Sequence, residues 1–278
     1  MIFILRYFSG ILAGLMLVAA AFLFAGPPEP ADTPLVAPLV AETSASAEAR
    51  IERIGVPPSL LRSDGFSYTE PEVGAIAREI AFRERTRRYH LFAPADLPEG
   101  PRPAIVLLHG DKRSGLSMID MWKDVATREA VVLIAPDSAG DGWTWAEDGP
   151  EFLDAVLADA REAQALRDDA LYLFGHSAGG ALAIRAALAP NAPWRRVASH
   201  AGLPNALAVV AGGGNTPLRI YLGTDDHLYP LTDARRIANA LARAGHPTDL
   251  IEILGHNHWY YQLGPHLSTL AWSWLSGG

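Results

Sequence analysis

The chain has 278 residues, of which 49% are hydrophobic and 19% charged, with 25 glycines and 21 prolines. That is too apolar for a disordered chain and too rich in helix breakers for a coiled coil, and the length suits two domains of about 150 residues or one large α/β domain. The absence of cysteine excludes disulfides, thiolate nucleophiles and thiolate metal sites, and a net charge of −8 speaks against nucleic-acid binding, which needs clustered lysine and arginine.

Tyr7 to Gly26 reads YFSGILAGLMLVAAAFLFAG, 20 residues without a charge, with Arg6 before it and Pro27, Pro28 and Pro30 behind it. The length is enough to cross about 30 Å of hydrocarbon and exceeds the roughly 7–15-residue apolar core of a cleaved signal. Residues 1–26 are therefore read as a signal peptide or membrane anchor. Ala19 and Ala21 fit an A-x-A cleavage site, Leu23 before Ala25 fits poorly, and lipid modification is excluded without a cysteine. The protein is expected to be exported, periplasmic or extracellular, and to touch the membrane if the segment is retained. Residues 27–72 follow as an acidic linker and lead-in, with eight acids against three arginines and no apolar periodicity over 27–60.

Over 73–278 the pattern changes to short apolar runs separated by helical stretches. Ile76–Phe82 and Tyr89–Phe92 suggest a hairpin. The near-continuous apolar runs AIVLLHG (104–110), VVLIAP (131–136), LYLFGHS (171–177), VASHAG (197–202), LRIYLG (218–223) and LIEIL (250–254) are what parallel strands covered on both faces require. Helices are expected over 116–129, 150–167, 178–189, 231–244 and 264–276. Alternation of this kind means an α/β fold, a mostly parallel eight-stranded sheet with helices on both faces.

Gly175-His176-Ser177-Ala178-Gly179 stands between an expected strand and an expected helix, the context of a nucleophile elbow. Small residues flank Ser177 because the turn that lifts its hydroxyl above the sheet leaves no room for side chains. A serine is a weak nucleophile at neutral pH and needs a base, which in turn needs an orienting carboxylate. After the strand LRIYLG come Asp225 and Asp226; Asp226 is preferred because Gly223-Thr224-Asp225-Asp226 with Pro230 fits a G-x-x-D…P turn, and Asp225 is the alternative. Of the later histidines, His246 lies ahead of a strand at the wrong end of the sheet and His266 inside the last helix. In Gly255-His256-Asn257-His258-Trp259, His258 fits a G-x-x-H spacing and is preferred as base, with His256 orienting the loop or open to solvent.

The backbone N–H groups of Asp111, after the strand ending Leu108-His109-Gly110, and of Ala178 are the expected oxyanion hole. A carboxylate at 111 repels a developing oxyanion unless it points elsewhere. His109, Trp143, Trp145 and Trp259 are candidate substrate-binding residues, with His109 also read as holding its loop and the tryptophans as packing. No cofactor is implied. The His256-x-His258 pair with Asp225, Asp226 and His227 also has the donors of a metal site, but a hydrolytic zinc site has no need for a serine elbow, and none is expected.

LLHG at 107–110, MW at 121–122, APDS at 135–138, GHSAGG at 175–180, GTDDHLYP at 223–230 and HNHWYY at 256–261 together resemble the α/β-hydrolase superfamily, and within it the polyhydroxybutyrate depolymerase-like and feruloyl-esterase-like serine esterases. The resemblance covers about residues 103–276. Those esterases usually show glycine where Asn257 precedes His258. The resemblance implies a carboxylic ester hydrolase acting on a small or polymeric ester through an acyl-enzyme. Its rivals are a serine peptidase or an acyltransferase of the same fold, and a membrane-tethered binding protein without catalysis.

Overall fold

The computed structural model describes residues 47–61, 67–95, 99–205, 209 and 214–277. The apolar segment 7–26 and the start of the linker lie outside these residues. Among the described residues, no helix is long and apolar enough to cross a membrane.

Among the described residues nine strands form one sheet: β1 (Arg50–Ile54), β2 (Ile76–Phe82), β3 (Arg85–Phe92), β4 (Arg102–Leu108), β5 (Val132–Pro136), β6 (Leu166–His176), β7 (Arg196–His200), β8 (Leu218–Gly223) and β9 (Thr248–Ile253). Their order across the sheet is β1-β9-β8-β7-β6-β4-β5-β3-β2. The β2–β3 hairpin and the β3–β5 pair are antiparallel; the other pairs are parallel. The helices are α1 (Gly115–Glu129), α2 (Trp145–Asp148), α3 (Pro150–Ala163), α4 (Ala178–Ala187), α5 (Leu231–Arg243) and α6 (Gly264–Ser276).

The continuous apolar runs divide by alternation between the two faces, as the pleat dictates. Ala104, Val106 and Leu108 of β4 join Leu171 and Leu173 of β6 in the core under α3, α4 and α5. Ile105, Leu107, Tyr172 and Phe174 join Trp122 of α1 and Leu267 and Trp272 of α6 in the core on the other face. A strand with both faces covered has no polar side to show, which is why these strands read as unbroken apolar runs.

The structure departs from the sequence reading in several places, β3 starting at Arg85 rather than Tyr89 among them. The sheet has nine strands rather than eight, because Arg50–Ile54, inside the segment read as linker, pairs in parallel with β9. Strand β6 starts at Leu166, five residues before the expected 171, and α3 accordingly stops at Ala163 rather than running to 167. The added stretch Leu166-Arg167-Asp168-Asp169 is mostly exposed, so no apolar pattern marks it.

The 137–148 connection, which carries the aromatic sequence beside the C-terminal strand ends, is anchored from below by a buried ion pair. The Arg87 guanidinium donates to Asp148 at 2.7 Å, with side-chain exposures of 5% and 0%. Arg87 also donates to the Asp137 and Glu147 carbonyls and lies 3.7 Å over the Phe152 ring, and Asp148 accepts from the Ala139 and Thr144 amides. Removing one member strands a charge without its partner. Asp148→Ala is expected to lower stability by about 3–5 kcal/mol in urea unfolding; a midpoint unchanged from wild type would contradict the anchoring role.

Candidate active site

Strand β6 ends at His176 and α4 begins at Ala178, so Ser177 alone makes the turn, at φ 53° and ψ −121°. That left-handed backbone is unusual for a non-glycine residue and marks stored local strain. The turn is possible only because Gly175 and Gly179, two positions to either side, lack side chains. A β-carbon on Gly175 would overlap the Gly179 carbonyl, and one on Gly179 would overlap the Leu108 and His109 carbonyls.

The Ser177 hydroxyl meets Nε2 of His258 at 2.9 Å, and Nδ1 of His258 meets Oδ2 of Asp226 at 2.9 Å. The Asp226 side chain is fully buried and that of His258 is 14% exposed. Burial pushes the Asp226 carboxyl up, but donation from His258 and from the Tyr229 and Leu228 amides outweighs it and holds the group below its ordinary value. It is an anion at neutral pH, and its contact selects the His258 tautomer with the proton on Nδ1, leaving Nε2 bare toward the serine.

The loops carrying Asp226 and His258 are stitched to each other. The Asp225 amide donates to the His256 carbonyl at 2.9 Å, and the Gly255 amide to the Thr224 hydroxyl at 2.8 Å. A β-carbon on Gly223 would overlap the His256 carbonyl, so the close approach of the loops depends on glycine there. Asp225 is exposed, with its carboxylate on the Thr224 hydroxyl, and does not reach His258. Asn257 accepts from the Trp259 amide at 2.8 Å, an Asx turn that shapes the loop around His258.

Gly110 and Asp111 lie beside the elbow: a β-carbon on Gly110 would sit 3.5 Å from that of Ser177. The Asp111 carboxylate packs against Gly142 and is exposed, and the Lys112 amide ties this turn to the Asp141 carbonyl. His109 is fully buried rather than open to substrate. Its Nδ1 meets the Gly110 carbonyl at 2.7 Å, and its Nε2 accepts from the Ser138 amide at 3.1 Å. Burial lowers its proton affinity, which fits this neutral donor–acceptor role, so it holds the Gly110–Asp111 turn.

The tryptophans separate. Trp143 donates to the His109 carbonyl at 2.7 Å and its ring tilts against that imidazole at 4.7 Å. Trp145 stacks under Arg185 at 4.0 Å and lines a cavity of about 410 Å³ with Phe82, Phe152 and Pro190, to which Ser177, Asp226 and His258 contribute nothing. Trp259 stands edge-on to Tyr261 at 5.3 Å, with Arg113 5.7 Å from its ring. Two further side chains flank His258, each 5.9 Å away: His227, read in the sequence only as a possible metal ligand, edge-on, and Tyr229, given no role there, tilted. Their place in the G-x-x-D…P turn was the available signal. His256, expected to orient the loop or face solvent, is 3% exposed and bonded to another imidazole.

No family model matches the chain. A curated protein named "Putative esterase NocK", from Nocardia uniformis subsp. tsuyamanensis, is 33% identical over 178 residues, covering 55% of this chain and 49% of that protein, so this chain spans about half the length of the relative. Among solved structures, the S-formylglutathione hydrolase FrmB of Staphylococcus aureus is 15% identical with a TM-score of 0.58, over 73% of this chain and 96% of that one. LpqC, a poly(3-hydroxybutyrate) depolymerase of Bordetella parapertussis, is 23% identical with a TM-score of 0.53, over 74% and 92%. An S-formylglutathione hydrolase of Agrobacterium tumefaciens is 13% identical with a TM-score of 0.61, over 73% and 93%. These likenesses are of fold.

Proposed function

We propose that this chain, which has the α/β-hydrolase fold, is a serine hydrolase of carboxylic esters. The observation that carries the reading is the hydrogen-bonded series Ser177 Oγ, His258, Asp226, with 2.9 Å at both contacts. The similarity to a protein named as an esterase supports the same reading.

In this mechanism the Ser177 oxygen attacks the ester carbonyl carbon while Nε2 of His258 takes the hydroxyl proton. Asp226 holds the imidazole in the required tautomer and stabilises its charge. The tetrahedral oxyanion accepts from the Asp111 and Ala178 amides. The bond to the leaving oxygen then breaks as His258 returns the proton to the departing alcohol, leaving the acyl group on Ser177. Water, deprotonated by His258, releases the acid in a second passage through the same geometry. The apolar segment 7–26 serves export or membrane attachment in this reading.

A fluorophosphonate tests it: intact-mass analysis is expected to show one phosphonyl group, located by peptide mapping on Ser177. A protein that stays unlabelled, while turning over no p-nitrophenyl ester, would return the chain to the non-catalytic binding class. A chromogenic peptide panel and product analysis with added alcohols separate the peptidase and acyltransferase alternatives.

A further inference from the structure

Three buried imidazoles take no part in that mechanism, and they join its two halves. His176 precedes the nucleophile, His200 ends β7, and His256 lies two residues before the base. Nδ1 of His176 is 3.0 Å from Nδ1 of His200, and Nε2 of His200 is 3.0 Å from Nε2 of His256. His200 also accepts the Ser177 amide on its carbonyl at 2.9 Å. Its backbone thus holds the nucleophile while its side chain reaches the loop of the base.

A neutral imidazole carries one N–H and one bare nitrogen. With both nitrogens of His200 engaged, it donates through one and accepts through the other, and the three rings run head to tail. They are paired end to end rather than converging on a point, and among the described residues no group of three such side chains is arranged to hold a metal. The Tyr260 ring lies against His176 and His200 at 5.0 and 5.3 Å, and its hydroxyl accepts from Trp122 on α1. Tyr261 meets His176 edge-on at 6.2 Å. His258 is 5.3 Å from the His176 ring, and Asp226 is the carboxylate facing His176 and His256. Burial, reinforced by the neighbouring imidazoles, pushes His176 down to about 3, His256 down to about 4 and His200 well below its ordinary value. All three are neutral at working pH.

We propose that His200 is a positioning residue for the catalytic base, bridging His176 and His256 so that the His258 loop keeps its distance from Ser177. The inference rests on the ester-hydrolase reading above. The bridge links the residue next to one end of the 2.9 Å Ser177–His258 contact to the loop carrying the other end, and a shift of about 1 Å at such a contact costs on the order of 10²-fold in rate. Phenylalanine at 200 fills the space but leaves two buried nitrogens without partners; glutamine keeps one donor and one acceptor.

His200→Phe, verified as folded by its thermal transition, is expected to lower kcat on p-nitrophenyl esters by about 10–100-fold with KM nearly unchanged. His200→Gln is expected to recover most of that loss. A folded His200→Phe with wild-type kcat, or a His200→Gln as slow as His200→Phe, overturns the proposal. Should His200→Phe not fold, His256→Phe breaks the same series at its other end and is read in the same way. In ¹⁵N-histidine-labelled wild-type protein, scalar coupling across both N···N contacts is expected, and its absence in a protein that labels with fluorophosphonate overturns the bridge alone. Absence of fluorophosphonate labelling with the couplings intact overturns the ester-hydrolase reading instead.

Discussion

Replacing Ser177 with alanine is expected to lower p-nitrophenyl ester turnover by about 10⁴–10⁶-fold while leaving thermal stability close to wild type. In the proposed mechanism the hydroxyl forms the acyl bond, and alanine keeps the β-carbon that the turn already accommodates. What survives is the contribution of the oxyanion amides and of substrate binding. Asp226→Asn is expected to cost about 10⁴-fold by a different route. Its carbonyl oxygen still accepts the Leu228 and Tyr229 amides, which turns the NH₂ toward Nδ1 of His258. The imidazole must then carry its proton on Nε2, facing the serine, where it can no longer take one. Turnover by Ser177→Ala equal to wild type would sink the mechanism, and Asp226→Asn with full activity would remove the acid from it.

Acidification is expected to unfold this protein earlier than its carboxylates alone would. His176, His200 and His256 are neutral in the folded chain because burial, first, and neighbouring imidazoles, second, lower their proton affinity. In the unfolded chain each returns to about 6.5. Below that value the unfolded state therefore binds more protons, so the stability is fully present above about pH 6.5 and is lost as pH falls toward the folded values of about 4 for His256 and about 3 for His176. At pH 5 His176 and His256 each contribute a loss of roughly 2 kcal/mol, and His200 adds to it in the same direction. Urea midpoints by tryptophan fluorescence at pH 7.5 and pH 5.0 read this directly. Equal midpoints would mean that the three rings are not held neutral.

The parts of the fold that were legible from sequence are those where burial on both faces writes an apolar run, such as Ile105–Leu108 and Leu218–Gly223. The elbow was legible because its turn demands glycine at 175 and 179, and the order Ser177, Asp226, His258 followed from which strand ends precede them. Strand β1 was not legible. Its residues RIERI are nearly all exposed, and its place is fixed by pairing with β9, almost 200 positions later. The imidazole series escaped for a similar reason. His176 occupied the variable position of its motif and His200 sat in an ordinary strand run, and neither position shows a period that marks it as polar and buried. His109 was visible as a residue beside the site, but only its neighbours Ser138 and Gly110 show that both nitrogens are spent on the turn.

Strand β1 also protects a vulnerable edge. Without it, β9 would end the sheet and offer the unpaired backbone of TDLIEI, a short apolar strand suited to pairing with another chain. With it, the outermost strand carries Arg50, Glu52 and Arg53, and its arginines reach back to Asp249 and Glu252. The Leu254 amide, one residue before the loop of the base, donates to the Ile54 carbonyl at 2.9 Å, and Gln262 behind that loop donates to the Ser59 carbonyl. Proteolytic trimming ahead of residue 47 leaves this seam whole. A cut past Ile54 opens both an adhesive edge and the flank of the loop that holds His258, so self-association and loss of turnover would set in together.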